Sequence, residues 1–98
     1  MKNKRRHPRK RAAIPVRIES GDRSLAGSIL DISTGGAFVR VEGTMAPGQN
    51  ITVIMEALSV NEPFAVTGRI TSKRSAGVGV VFEHLSKTQR NLLSYLYY

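Results

Sequence analysis

Six short stretches of this chain alternate apolar and polar residues with a period of two, and that alternation decides the fold class. Side chains on an extended strand point to opposite faces in turn, so a period of two marks a strand with one buried face. Val16 and Ile18 alternate in a stretch over about 13–19. A second stretch, roughly 23–32, puts Leu30 and Ile32 on one face, and Ala37 to Val41 forms a third. Ile51, Val53 and Met55 alternate in a fourth, Phe64, Val66, Gly68 and Ile70 in a fifth, and Val78, Val80 and Phe82 in a sixth. Turn signals separate them: Ser20-Gly21-Asp22, Gly35-Gly36 and Pro47-Gly48. Six short strands at this spacing fit a barrel or a sandwich. About 70 residues are few for two well-packed sheets, so the expectation is an all-β, six-stranded antiparallel barrel.

The period changes near the end. Ser86-Lys87-Thr88-Gln89 fits a capping box, in which the Ser oxygen accepts a free backbone N–H and Gln89 reaches back. Leu92, Leu93 and Leu96 then recur at helical spacing, which predicts one helix over about 87–97 with its leucines on the barrel. Tyr95, Tyr97 and Tyr98 read as packing or surface residues.

Charge divides the chain unevenly. Of a formal net charge of +8, residues 1–11 carry seven positive charges and no negative one. The rest holds eight basic and seven acidic residues. The expected organisation is therefore a flexible basic arm over residues 1–11 and a near-neutral barrel with its helix over 12–98. Such an arm suits a polyanion or a phosphorylated ligand. With no Cys and only His7 and His84 as histidines, disulfides and thiolate metal sites are excluded, and no cofactor or metal is expected. His7 reads as a spacer and His84 as structural. No apolar run approaches the roughly 20 residues of a membrane span, and the charged N-terminus is no secretory signal, so a cytoplasmic protein is expected.

Two clusters carry chemistry. In the first, Arg5-Arg6-His7-Pro8-Arg9, two arginines stand four apart; Pro8 pushes His7 toward an extended conformation. Guanidinium binds phosphate bidentately, reaches guanine O6 and N7, and stacks its flat face on a base. The second cluster is Asp31-Ile32-Ser33-Thr34-Gly35-Gly36. Asp31 and Ser33, two apart, are expected on the outer face, with Leu30 and Ile32 toward the core. An outward carboxylate accepts two hydrogen bonds from the adjacent N1–H and N2–H₂ donors of guanine. Gly35 and Gly36 permit a tight turn and close approach of a ligand to the backbone.

These clusters resemble the two signature motifs of the PilZ family, RxxxR and DxSxxG. Arg5 and Arg9 match the first; Asp31, Ser33 and Gly36 match the second. Gly77-Val78-Gly79-Val80-Val81-Phe82 is similar to the family's last strand, and the likeness covers nearly the whole chain. The resemblance implies a bacterial PilZ-like barrel that binds the second messenger cyclic di-GMP through Arg5, Arg9, Asp31, Ser33 and Gly36. Lys4, Arg6 and Gly35 play secondary parts in that expectation. It further implies an arm that closes over the nucleotide, an influence of Lys4 on whether one nucleotide or a stacked pair binds, and a receptor or adaptor that relays the signal to an unidentified effector protein.

Two other functions compete. A small nucleic-acid-binding barrel with a basic arm normally presents a stacking platform of aromatics. Here Phe64 and Phe82 fall on core positions and the three Tyr in the last helix, leaving only Phe38 open to exposure, which is no stacking platform and argues against nucleic acid. A nucleotide-independent adaptor would dock the arm on an acidic protein. An enzyme is not expected, because no nucleophile–base pair stands out and Asp31 with Ser33 has no histidine in sequence reach.

Overall fold

In the computed structural model the described residues are 10–55 and 64–97. All six expected strands form: β1 Lys10–Ser20, β2 Arg23–Ile32, β3 Gly36–Val41, β4 Asn50–Met55, β5 Phe64–Arg74 and β6 Gly77–Phe82. They pair antiparallel throughout and close into a barrel in the order β1-β2-β3-β6-β5-β4, with β4 returning to β1. Closure gives each strand a neighbour on both sides, though β1 meets β4 only over Val16 to Glu19. β1 begins at Lys10, inside the stretch read as arm; residues 1–9 lie outside the described residues.

The alternating residues fill the interior. Ile18, Ile29, Ile32, Val39, Val53, Met55 and Ile70 are completely buried, and Val16, Ala37, Ile51, Phe64, Val66, Val78, Val80 and Phe82 complete the strand contribution. Gly68 takes its expected place on the inner face of β5, where a Cβ would meet the Val80 side chain and the Val81 carbonyl oxygen, each at 2.8 Å. Met45, from the β3–β4 connection, adds a buried side chain from outside the strands.

The helix α1, Lys87–Tyr97, starts at the expected cap. The Gln89 N–H donates to Ser86 Oγ at 3.0 Å, and the Ser86 N–H donates to Gln89 Oε1 at 2.9 Å. Gln89 Nε2 also donates to the Ala65 carbonyl at 2.9 Å, which ties the first turn to β5. Leu93 is fully buried in the core and Leu92 packs against it. The side chains of Leu96, Tyr95 and Tyr97, and Tyr98 as a whole, lie outside the described residues. His84 adopts φ 59°, in the left-handed region, between β6 and the cap. That connection is strapped to β5 by Thr67 Oγ1, which donates to the Glu83 carbonyl at 2.8 Å, and by a 3.0 Å ion pair between Arg69 and Glu83.

One expectation about β2 is wrong. Ile29 pairs with Val39, but the next paired residue is Asp31, opposite Phe38; Leu30 is an extra residue bulged out of the ladder. The residues buried on β2 are consequently Ile29 and Ile32, three apart, and Leu30 is only half-buried. Counting by twos cannot see this, because a bulge moves the strand's parity by one residue. β1 slips between Arg11 and Ile14, and β5 slips between Ile70 and Ser72.

Candidate functional site

The bulge aims Asp31. In a regular strand Asp31 would share a face with Ile29, which is completely buried. With Leu30 inserted, Ile32 takes the core position and its neighbour Asp31 turns to the outer surface, half-buried. Bulges commonly re-aim a side chain in this way near binding sites. The outward placement expected for Asp31 is therefore correct, but its cause is the bulge and not simple alternation with Leu30.

Asp31 sits between two neighbours in register. On one side is Arg11 of β1, exposed, and on the other is Phe38 of β3. Arg11 was counted only as arm charge in the sequence; its register makes it the described cation nearest to Asp31 along the ladder. Lys10, paired with Ile32, opens β1 beside this rung. The strand thus begins one residue after Arg9, the second arginine of the RxxxR motif. Arg9 itself, with Lys4, Arg5 and Arg6, lies outside the described residues.

Ser33 does not look outward as expected. It is 5 % exposed, and its hydroxyl oxygen accepts the N–H groups of Gly35 at 3.1 Å and Gly36 at 3.2 Å. The Ser33 N–H donates to the Gly36 carbonyl at 2.8 Å. The side chain is the internal tie of the β2–β3 turn, the usual work of a Ser that competes with backbone partners. The Gly35 carbonyl accepts the Phe82 N–H at 2.9 Å, which fastens the turn to β6. Gly36 is required by the fold: a Cβ there would strike the Val80 carbonyl oxygen of β6. The close approach that the glycine permits is to a neighbouring strand. Of the second motif, only Asp31 presents a polar side chain outward, and Ser33, Gly35 and Gly36 hold the turn that follows it.

Phe38 is half-buried on the outer face, and the guanidinium carbon of Arg74 stands over its ring, 5.9 Å from the centroid. The sequence leaves Phe38 as the one Phe open to exposure. Its signal was available in the parity of β3, where Ala37 and Val39 face inward. Arg74 could not be found that way, because it comes from β5, two strands away in the sheet.

Among the described residues, no group of three or more His, Cys, Asp or Glu is placed to hold a metal ion. No described helix is long and apolar enough to cross a membrane.

Comparison with known proteins follows the same line. A search of curated proteins finds no match. Among solved structures, the chain is similar to the PilZ domain of CeSA from a cellulose-synthesizing bacterium, with TM-score 0.74 and 20 % identity over 92 % of this chain and 94 % of that one. It is similar to the PilZ domain of YcgR from Escherichia coli, solved with c-di-GMP, with TM-score 0.77 and 15 % identity over 97 % and 89 % of the two chains. It also resembles the Bacillus subtilis inhibitor of motility MotI/DgrA, with TM-score 0.75 and 15 % identity, spanning 95 % of this chain but 49 % of that one. At these identities the structures speak for the fold. The sequence model of the PilZ domain matches residues 3–98, nearly the full length. The closed six-stranded barrel with its C-terminal helix is a PilZ domain, and the chain belongs to the PilZ family.

Proposed function

We propose that this domain is a receptor for cyclic di-GMP that binds the nucleotide without chemical change and passes the signal to a separate effector protein. The observation that carries the reading is the bulge at Leu30, which turns Asp31 to the surface beside the strand that follows Arg5 and Arg9. Membership of the PilZ family supports it, as does the c-di-GMP in the YcgR domain of the same fold.

Each residue has a chemical task. The Asp31 carboxylate accepts the N1–H and N2–H₂ donors of one guanine. Arg5 and Arg9 take phosphate oxygens and the guanine O6/N7 edge through bidentate, charge-assisted bonds. Lys4 and Arg6 add positive charge to the same segment. Ser33, Gly35 and Gly36 act through the turn they brace, which fixes the backbone on which Asp31 stands. Membership of the PilZ family, whose domains are receptors or adaptors, supports binding without turnover.

Isothermal titration with cyclic di-GMP tests the proposal. The expected Kd is on the order of 1 µM, which is about −8 kcal/mol. Asp31→Ala should weaken binding by about 2 kcal/mol through loss of two charge-assisted bonds, and Arg9→Ala by a similar amount. The wild type should prefer cyclic di-GMP over cyclic di-AMP, whose adenine edge lacks the adjacent donor pair, and Asp31→Ala should narrow that preference. No heat with ~100 µM cyclic di-GMP at low salt would overturn the receptor reading. Equal affinity for both dinucleotides would instead reduce it to charge attraction by the arm.

A further inference from the structure

Strand β6 has no side chains on part of its outer face. Val78 and Val80 point into the core, so Gly77 and Gly79 occupy the outward positions. A Cβ on Gly77 would strike the Val39 carbonyl oxygen, and one on Gly79 would lie 2.5 Å from Ser72 Oγ. Both positions are therefore closed to side chains, and β6 presents bare backbone between β3 and β5. Phe38 pairs with Gly79 on one side, and Arg74 pairs with Gly77 on the other. The Arg74 side chain reaches across β6 and lays its guanidinium over the Phe38 ring, 5.9 Å from the centroid. That distance is at the outer limit of cation–π reach, about 6 Å, so the contact is loose and exposed. At the Gly77 end lies a groove of about 510 Å³ whose lining includes the cations Arg40, Lys73 and Arg74 and no carboxylate.

The same rung that carries Phe38 carries Asp31 on β2. Directly paired residues stand about 5 Å apart, within reach of an aromatic ring. We propose that Phe38 and Arg74 form the stacking wall of the nucleotide site: a guanine whose edge is held by Asp31 lays its face on the Phe38 ring, and the Arg74 guanidinium lifts from the ring to cover the other face. This inference rests on the cyclic di-GMP reading and adds to it two residues outside both sequence motifs. Three features select a flat, electron-rich base. The β6 backbone has no Cβ atoms at Gly77 and Gly79, both partners are planar, and Asp31 at the end of the rung repels an acidic peptide while accepting donors from a base edge.

The chain contains no Trp, so Phe38→Trp introduces a single indole reporter. Cyclic di-GMP should quench its fluorescence strongly, because a stacked guanine lies against the ring. Titration calorimetry should find Phe38→Leu and Arg74→Gln each weakened about ten-fold, the low end of what one stacked base contributes. Arg74→Lys separates stacking from charge. It keeps the cation but loses the flat face, and should bind as weakly as Arg74→Gln. Arg74 is exposed, so its variants should melt as the wild type does and report on binding alone. If the wild type binds cyclic di-GMP while Arg74→Gln and Phe38→Leu bind equally well and the indole is unquenched, the stacking wall is wrong and the receptor reading stands. If Arg74→Lys matches the wild type while Arg74→Gln is weak, Arg74 acts only as a charge and the wall is overturned. A wild type that binds no cyclic di-GMP removes both.

Discussion

The β4–β5 pair runs from Asn50 opposite Arg69 to Met55 opposite Phe64 without a slip, whereas β1–β2 and β2–β3 both slip near Leu30. The two regions contain similar residues and bury similar side chains. In the regular region every second residue is core, and the residues between them face outward. In the slipped region the ladder gives up one residue of pairing and gains a carboxylate aimed outward beside a cationic strand. Register irregularity here coincides with the proposed site, which is where local rules are expected to be broken.

The largest expected effect tests whether the bulge sets the core boundary. Ile29→Ala removes a completely buried side chain and should cost about 3 kcal/mol of stability. Leu30→Ala, one residue along, removes a half-buried side chain at the groove and should cost about 1 kcal/mol. Plain alternation with Ile32 makes the opposite prediction, with Leu30 the costly site. Urea unfolding of the two variants decides between them, and a larger loss for Leu30→Ala would return β2 to a regular strand.

Much of the regular region was readable in advance. Ile51, Val53 and Met55 follow a strict period of two, and even Gly68 falls on its correct inner face because no bulge precedes it in β5. The helix start was readable because a capping box is local: Ser86 and Gln89 need only each other. The bulge at Leu30 was not, since an extra residue is defined only against the strand it pairs with. Ser33 failed for a related reason. Counting two residues on from Asp31 continues a strand that has already ended at Ile32, and the hydroxyl instead folds back on the turn. The Phe38–Arg74 pair was hidden because it joins β3 to β5 across β6, a neighbour relation that only the barrel order supplies. The outward glycines at 77 and 79 were the trace it left.

The next effect in size concerns the turn that braces the slipped region. Ser33→Ala leaves the N–H groups of Gly35 and Gly36 without their acceptor in a part-buried turn. Loss of these bonds should cost about 1.5 kcal/mol of stability. Ser33→Thr keeps the hydroxyl but adds a methyl at a position 5 % exposed, so it should restore only part of that. Because the hydroxyl is spent on the turn, the affinity loss in Ser33→Ala should be smaller than in Asp31→Ala and should accompany weaker amide-exchange protection at Gly35 and Gly36. A Ser33→Ala variant with unchanged stability and protection but lost cyclic di-GMP binding would make Ser33 a direct ligand contact instead.

The smallest effect is expected from the carboxylate on the regular side, and it controls for charge. Glu83 pairs with Arg69 at 3.0 Å, but the two side chains are 29 % and 46 % exposed, so solvent screens the pair. Such ion pairs contribute at most about 0.5 kcal/mol, and Glu83→Gln keeps a hydrogen-bond acceptor for Arg69. Its melting temperature should stay within about four degrees, and less still should separate it from wild type in concentrated salt, about 1 M, where the Debye length is short. The value of the variant lies in comparison with Asp31→Asn. Both substitutions remove one negative charge from a chain of net charge +8 and preserve side-chain size. If cyclic di-GMP is attracted only by the excess of positive charge, the two should bind it alike, each slightly more tightly than wild type. If Asp31 reads the guanine edge, Asp31→Asn should bind weakly, because an amide offers one acceptor and one donor to a pair of donors, while Glu83→Gln binds as wild type or slightly better. Equal gains in the two variants would show that the outward carboxylate of the slipped region is no more a recognition group than its counterpart beside β5.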